Sequence, residues 1–186
     1  MKRIVILASG SGTLAQAIFD AQLDADIVAL ISDQPDAAVL DRAHKAHIET
    51  FTIPMLPDRS EWDRELETLI AALKPNLVVS AGFMRILSER ITSRFKIINS
   101  HPALLPLYPG AHAVRDALAA GATETGTTIH WVDAGVDTGQ VIAQERVEIL
   151  PGDTEESLHE RIKIVERGLI VATIAKLLPT LEKING

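Results

Sequence analysis

The chain has 186 residues, 47% of them apolar, no cysteine, and 18 Lys and Arg against 25 Asp and Glu, a formal net charge of −7. One domain with a full core suits that length, and the missing cysteines exclude a disulfide scaffold, a Cys-ligated metal site and a thiol nucleophile. An acidic balance with two Trp, one Tyr and four Phe speaks against a nucleic-acid platform, and no apolar stretch reaches the roughly 18 residues of a membrane helix.

The N-terminus reads Met1-Lys2-Arg3 and then Ile4 to Ala8, an apolar run that breaks at Ser9. That is too short for the core of a signal peptide, so the expectation is a cytoplasmic domain that works on small molecules. A continuous apolar run also suits a parallel strand covered on both faces. After Ser9-Gly10-Ser11-Gly12, residues Leu14, Ala17, Ile18 and Ala21 fall at helical spacing. A second strand spans Ile27 to Ile31 and ends at Ser32-Asp33, a helix covers Ala37 to Ala46, and a short strand covers Glu49 to Ile53. Asp58 to Lys74 places Trp62, Leu66, Leu69, Ile70 and Leu73 on one stripe, which predicts a surface helix. Leu77 to Val79 and Phe95 to Ile98 supply two further buried strands. This alternation predicts a mainly parallel sheet with helices on both sides.

Beyond Pro102 the strands lengthen and become more polar. Thr127 to Val132 and Val141 to Ile149, the second with Gln144, Arg146 and Glu148 opposite its apolar face, predict an antiparallel pair at the sheet edge. A final long helix follows, with Asp153 and Glu156 as its capping box and Leu158, Ile162, Val165 and Leu169 as its buried stripe. No repeat or linker interrupts the chain.

Three segments can carry chemistry. The loop Ser9 to Thr13 joins a strand to a helix, where small residues let backbone N–H groups meet an anion. Gly10-x-Gly12-x-x-Ala15 also fits a relaxed dinucleotide fingerprint, with Asp33 at ribose distance. A plain tight turn explains the same glycines, and no lysine follows to make a nucleoside-triphosphate loop. Asn99 and His101 sit two apart at a strand end and so project to one side, with Pro102 favouring extended backbone at His101. A carboxamide donor beside an imidazole suits a reaction in which a carbonyl becomes an oxyanion and protons move. In Asp133-Ala134-Gly135-Val136-Asp137-Thr138-Gly139, two aspartates among glycines read by themselves as an Asx-stabilised turn. A carboxylate placed near His101 would instead orient the imidazole and favour its protonated form. His44 and His47 lack a third ligand, so no metal is expected; His159 reads as helix surface, His112 as loop, and His130 as facing either the site or the sheet.

Together Asn99-Ser100-His101-Pro102-Ala103-Leu104-Leu105-Pro106, the loop ending Asp137-Thr138-Gly139, and Ala81-Gly82-Phe83-Met84-Arg85-Ile86-Leu87 resemble the folate-dependent formyltransferases. The resemblance runs from the Ser9–Thr13 loop to Glu166. It implies a single-domain, Rossmann-like α/β fold over 1–186, its N-terminal half binding phosphate and its C-terminal half binding folate and carrying the catalysis. It implies formyl transfer from 10-formyltetrahydrofolate, as co-substrate and without metal, to the amine of phosphoribosylglycinamide in purine synthesis. The catalytic trio would be Asn99, His101 and Asp137; Asn99 and His101 would stabilise a tetrahedral intermediate, with Asp137 keeping His101 protonated. Gly12, Thr13, Leu14 and Glu166 would hold the phosphoribosylglycinamide. Arg59 would meet the folate glutamate tail, while Met84, Arg85, Ile86 and Leu87 line the pterin pocket beside Asn99. Leu14 departs from the family pattern, which has an Asn there, so phosphate binding would rest on backbone N–H groups and the Thr13 hydroxyl. The expected partners are small molecules only, and the expected state is monomer or homodimer.

Rival readings predict different residues. An NAD-dependent oxidoreductase would use Asp33 but lacks a Tyr-x-x-x-Lys pair, since Tyr108 is followed four residues on by His112. A formyltetrahydrofolate hydrolase would carry an added N-terminal domain, and a formyltransferase acting on tRNA an added C-terminal one with a basic surface. A non-enzymatic folate- or nucleotide-binding module has no need of Asn99, His101 and Asp137 together.

Overall fold

A seven-stranded sheet runs through the middle of the computed structural model, which describes residues 1–182. Its strands are β1 (Lys2–Leu7), β2 (Ala25–Ser32), β3 (Thr50–Thr52), β4 (Leu77–Ser80), β5 (Ile97–His101), β6 (Glu124–Trp131) and β7 (Val141–Glu148), in the order β3-β2-β1-β4-β5-β6-β7. The first five run parallel; β6 is antiparallel to β5, and β7 to β6. This is the expected Rossmann-like α/β architecture, its antiparallel strands at the end. The helices are α1 (Thr13–Asp20), α2 (Ala38–Lys45), α3 (Arg59–Leu73), α4 (Glu89–Thr92), α5 (Ala113–Ala119) and α6 (Glu155–Leu177). The short α4 and α5 are the elements that sequence periodicity misses, because one or two turns cannot display a 3.6-residue period.

The apolar runs follow from burial on both faces. Alternate residues of β1 enter two separate cores: Ile4 and Ile6, with Ala8 just beyond the strand, pack with α1, α2 and α6, while Val5 and Leu7 pack with α3 and α4. On the second side Trp62 is completely buried, donates from Nε1 to the Ile53 carbonyl at 2.9 Å and stacks on Phe83. Helix α6 begins one residue later than expected. Thr154 is its cap, in a reciprocal box with Ser157, because the Asp153 carboxylate is already engaged by Arg161 and the Leu150 N–H.

The strand order decides where a ligand can sit. From β1 the chain builds first toward β2 and β3, then returns to β4 on the other side. Ligands of open α/β sheets bind at such a reversal, outside the carboxyl ends of the strands. The loops after β1 and β4 meet there, the Ser9 N–H bonding the Gly82 carbonyl at 3.0 Å. Among the described residues no helix is long and apolar enough to cross a membrane.

Candidate active site

At that reversal a cleft of about 620 Å³ opens, walled by segments from the whole length of the chain: 9–14, 80–87, 99–102, 110–111, 130–137 and 159–166. Its floor is the loop after β1. Gly12 adopts a left-handed φ of 77°, and a Cβ there would overlap the Val39 side chain. Glycine is therefore required, both for the conformation and for the approach of α2. The Gly10 carbonyl accepts from the Val39 N–H at 3.1 Å and the Ser11 carbonyl from Arg42 Nε at 2.7 Å. With these carbonyls turned back toward α2, the start of α1 has no side-chain cap and no acidic residue in its first turn. Such free N–H groups at the positive end of a helix dipole can receive an anion.

The catalytic candidates converge from three elements. Pairing of β5 with β6 sets Asn99 opposite His130, and Asn99 Nδ2 lies 3.2 Å from His130 Nε2. His101 is only 4% exposed; its Nε2 bonds the Tyr108 carbonyl at 2.7 Å and its Nδ1 lies 3.3 Å from Asp137 Oδ2. Asp137 also approaches His130 Nε2 at 3.5 Å and accepts from the Gly110 N–H at 2.8 Å. It adopts φ 54°, a left-handed conformation that Asp tolerates better than most residues. Burial works to raise the Asp137 carboxyl, but the bond from His130, the Gly110 N–H and the charge of His101 outweigh it and hold it below the ordinary carboxylate range.

The glycine-flanked loop divides its aspartates between the two readings open to the sequence. Asp133 builds the turn, accepting from the Gly135 N–H and the Thr138 hydroxyl. Asp137 enters the cleft. The Pro102–Pro106 segment is pinned by Thr128, whose hydroxyl donates to the Ala103 carbonyl at 2.6 Å and accepts from the Leu105 N–H and from Gln144.

The remaining predicted residues separate. Gly12, Thr13, Leu14, Met84, Arg85, Ile86, Leu87 and Glu166 all line the cleft. Phe83 and Leu87 anchor their segment in the core, leaving Met84 and Ile86 largely exposed at the mouth. Arg59 is not among the lining residues; it bonds the Ile86 carbonyl and Asp63 and lies over the Trp62 ring. Burial pushes the Glu166 carboxyl up from its ordinary value, against the hydroxyls of Ser100 and Thr127 and the charges of Lys163 and Arg167.

Two cleft residues, His159 and Lys163, escape the sequence reading, which leaves His130 between the site and the sheet. His130 needs the β5–β6 register before it can be placed. His159 and Lys163 precede Glu166 by seven and three residues and share its helix face; that polar stripe beside the buried Leu158 and Ile162 was the available signal. Asp33, by contrast, is not free to meet a ribose: its buried carboxylate is held by Ser9, Gln34 and Arg85. Among the described residues no three His, Asp or Glu side chains are grouped to hold a metal ion.

A doubly wound sheet with a glycine loop and an Asn–His–Asp cluster at its switch point carries groups suited to acyl transfer, and similarity to known proteins gives the class. The family described as formyl transferase matches residues 2–174; the chain belongs to this family and is a one-carbon transferase. Its likeness is to phosphoribosylglycinamide formyltransferases. The one from Mycobacterium tuberculosis is 48% identical over 182 residues, 94% of this chain and 84% of that protein. The crystal structure of glycinamide ribonucleotide transformylase 1 from Symbiobacterium toebii superposes with a TM-score of 0.94 at 37% identity, over 100% of this chain and 92% of that one. The phosphoribosylglycinamide formyltransferase of Bacillus halodurans gives 0.92 at 39% identity, over 98% of each chain.

Proposed function

We propose that the protein transfers the formyl group of 10-formyltetrahydrofolate to the amine of phosphoribosylglycinamide in purine biosynthesis, as one catalytic domain. The observation that carries this reading is the joining of His101 and His130 through Asp137, directly beside Asn99, in a cleft that the glycine loop after β1 and the lip Met84 to Leu87 both line. The folate lies along Met84, Arg85, Ile86 and Leu87, its tail directed toward Arg59 outside the cleft. The ribose phosphate sits on the N–H groups of Gly12, Thr13 and Leu14, and Glu166 contacts the rest of the acceptor. The Leu14 side chain offers no donor, so the Thr13 hydroxyl and the Lys163 ammonium, which lines the same cleft and bonds Glu160, supply what the loop amides do not.

In the reaction the substrate amine attacks the formyl carbon, forming a carbon–nitrogen bond and a tetrahedral oxyanion. The Asn99 amide donates to that oxygen. His101, held at Nδ1 by Asp137, exchanges the Tyr108 carbonyl for the substrate, passes a proton to the departing folate nitrogen as the bond to it breaks, and takes back the proton that the attacking amine sheds on becoming an amide. Asp137 holds the ring and compensates its charge. The enzyme works on small molecules in the cytoplasm, as a monomer or homodimer. Incubating the purified protein with both substrates and following the deformylated folate tests the reading. Turnover is expected with the parent and a fall of at least about a hundredfold with His101→Ala; absence of turnover in the parent would sink the assignment.

A further inference from the structure

Asp33 directly follows β2, beside but not within the cleft, and its carboxylate is completely buried. It has no place in the chemistry above. Its two oxygens nevertheless hold groups from two different walls. Oδ1 accepts from the Ser9 hydroxyl at 2.6 Å, and Ser9 Oγ in turn accepts from the Met84 N–H at 2.9 Å. Oδ2 accepts from Arg85 Nε at 2.6 Å and from Gln34 Nε2 at 3.1 Å. Ser9 is the first residue of the anion loop, and Met84 and Arg85 begin the apolar lip. We propose that Asp33 is a positioning residue that fixes the acceptor-binding loop and the folate-binding lip in one geometry, and so sets the alignment of the two substrates.

The geometry supports this in three ways. The loop has no amide side chain at Leu14, so anion binding depends on the directions of its backbone N–H groups. Those directions are held from behind by Val39 and Arg42 and at the loop's start by Ser9, through its N–H to the Gly82 carbonyl and its hydroxyl to Asp33. Phe83 and Leu87 anchor the two ends of the lip in the core, but Met84 and Ile86 between them are 74% and 57% exposed, and the ties to Ser9 and Asp33 fall at Met84 and Arg85. The carboxylate is also matched to its partners. Oδ1 can only accept, which fixes the Ser9 hydroxyl as donor toward Asp33 and leaves its oxygen to receive the Met84 N–H. An amide in place of Asp33 takes the charge from the bonds to both Ser9 and Arg85 and turns one of the two acceptors into a donor, so the contacts on both sides weaken. The inference rests on the proposed function for its readout.

The test is steady-state kinetics of Asp33→Asn and Ser9→Ala with each substrate varied in turn. Ser9→Ala leaves the buried Asp33–Arg85 pair intact and guards against a folding failure in the other variant. Loss of a charge-assisted bond on each side is expected to raise the KM of both substrates by about ten- to a hundredfold in Asp33→Asn. In Ser9→Ala both should rise by less. Asp36→Asn, exposed in the same turn, should leave both constants unchanged. A folded Asp33→Asn with lowered thermal stability but parental KM for both substrates would reduce Asp33 to a structural role and overturn the proposal. So would a rise in one KM only, because the two walls would then not be held in common. Absence of turnover in the parent would count against the function instead; the binding of phosphoribosylglycinamide and of tetrahydrofolate, titrated separately on parent and Asp33→Asn, then decides the positioning role by the same criterion.

Discussion

Replacing Asp137 by Asn isolates the charge that the mechanism needs. Asn is nearly isosteric, can still accept from the Gly110 N–H, and tolerates the left-handed φ of 54°, so the loop keeps its shape. What disappears is the carboxylate charge 3.3 Å from His101 Nδ1, between side chains only 4% and 13% exposed. Two unit charges at that distance attract by about 5 kcal/mol at an effective dielectric near 20. Breaking one member of a buried pair costs about 3–5 kcal/mol. If that energy is what keeps the His101 ring ready to donate, each 1.36 kcal/mol is a factor of ten in rate, and kcat should fall by about 10²- to 10⁴-fold. The KM of both substrates should stay near the parent's, since Asp137 is already shielded by two histidines. Single-turnover formyl transfer by rapid quench measures the chemical step directly. A variant with parental circular dichroism and kcat within about threefold of the parent would refute the role assigned to Asp137.

Glu166 gives a pH prediction. Its folded carboxyl titrates above the ordinary value of 4.5, so above that pH the folded state holds its proton longer than the unfolded chain and stability falls as pH rises toward the folded value. Glu166→Gln should raise Tm at neutral pH and lose that advantage below about pH 4; a lower Tm at pH 7.5 would contradict the buried-carboxyl account. Trp62→Ala should cost about 3–5 kcal/mol from its cavity, read from the denaturant midpoint, because the side chain is completely buried and bonded to Ile53. Gly12→Ala adds about 1–2 kcal/mol of left-handed strain and forces Val39 aside; titration with phosphoribosylglycinamide should detect a loss of affinity, while tetrahydrofolate binding is retained.

What the sequence determined by itself was local. Unbroken apolar runs at Ile4–Ala8 and Leu77–Val79 announce strands covered on both faces, and the stripe of Trp62, Leu66 and Ile70 announces the helix that covers one of them. Asn99 and His101 were legible as a pair because their spacing matches the two-residue period of a strand, and the formyltransferase likeness was legible in the run from Asn99 to Pro106. The tertiary structure decided everything that depends on register or on a meeting of distant segments. Two aspartates four residues apart look alike in sequence, yet Asp133 closes a turn while Asp137 reaches His101 and His130. His130 became a site residue only because the antiparallel pairing of β5 and β6 sets it opposite Asn99. Asp33 looked like a ribose ligand until Arg85, 52 residues away, was seen to occupy it. Hydrophobic period and strand-end spacing are properties of a few neighbouring residues, whereas a hydrogen-bond partner is chosen by the folding of the whole chain.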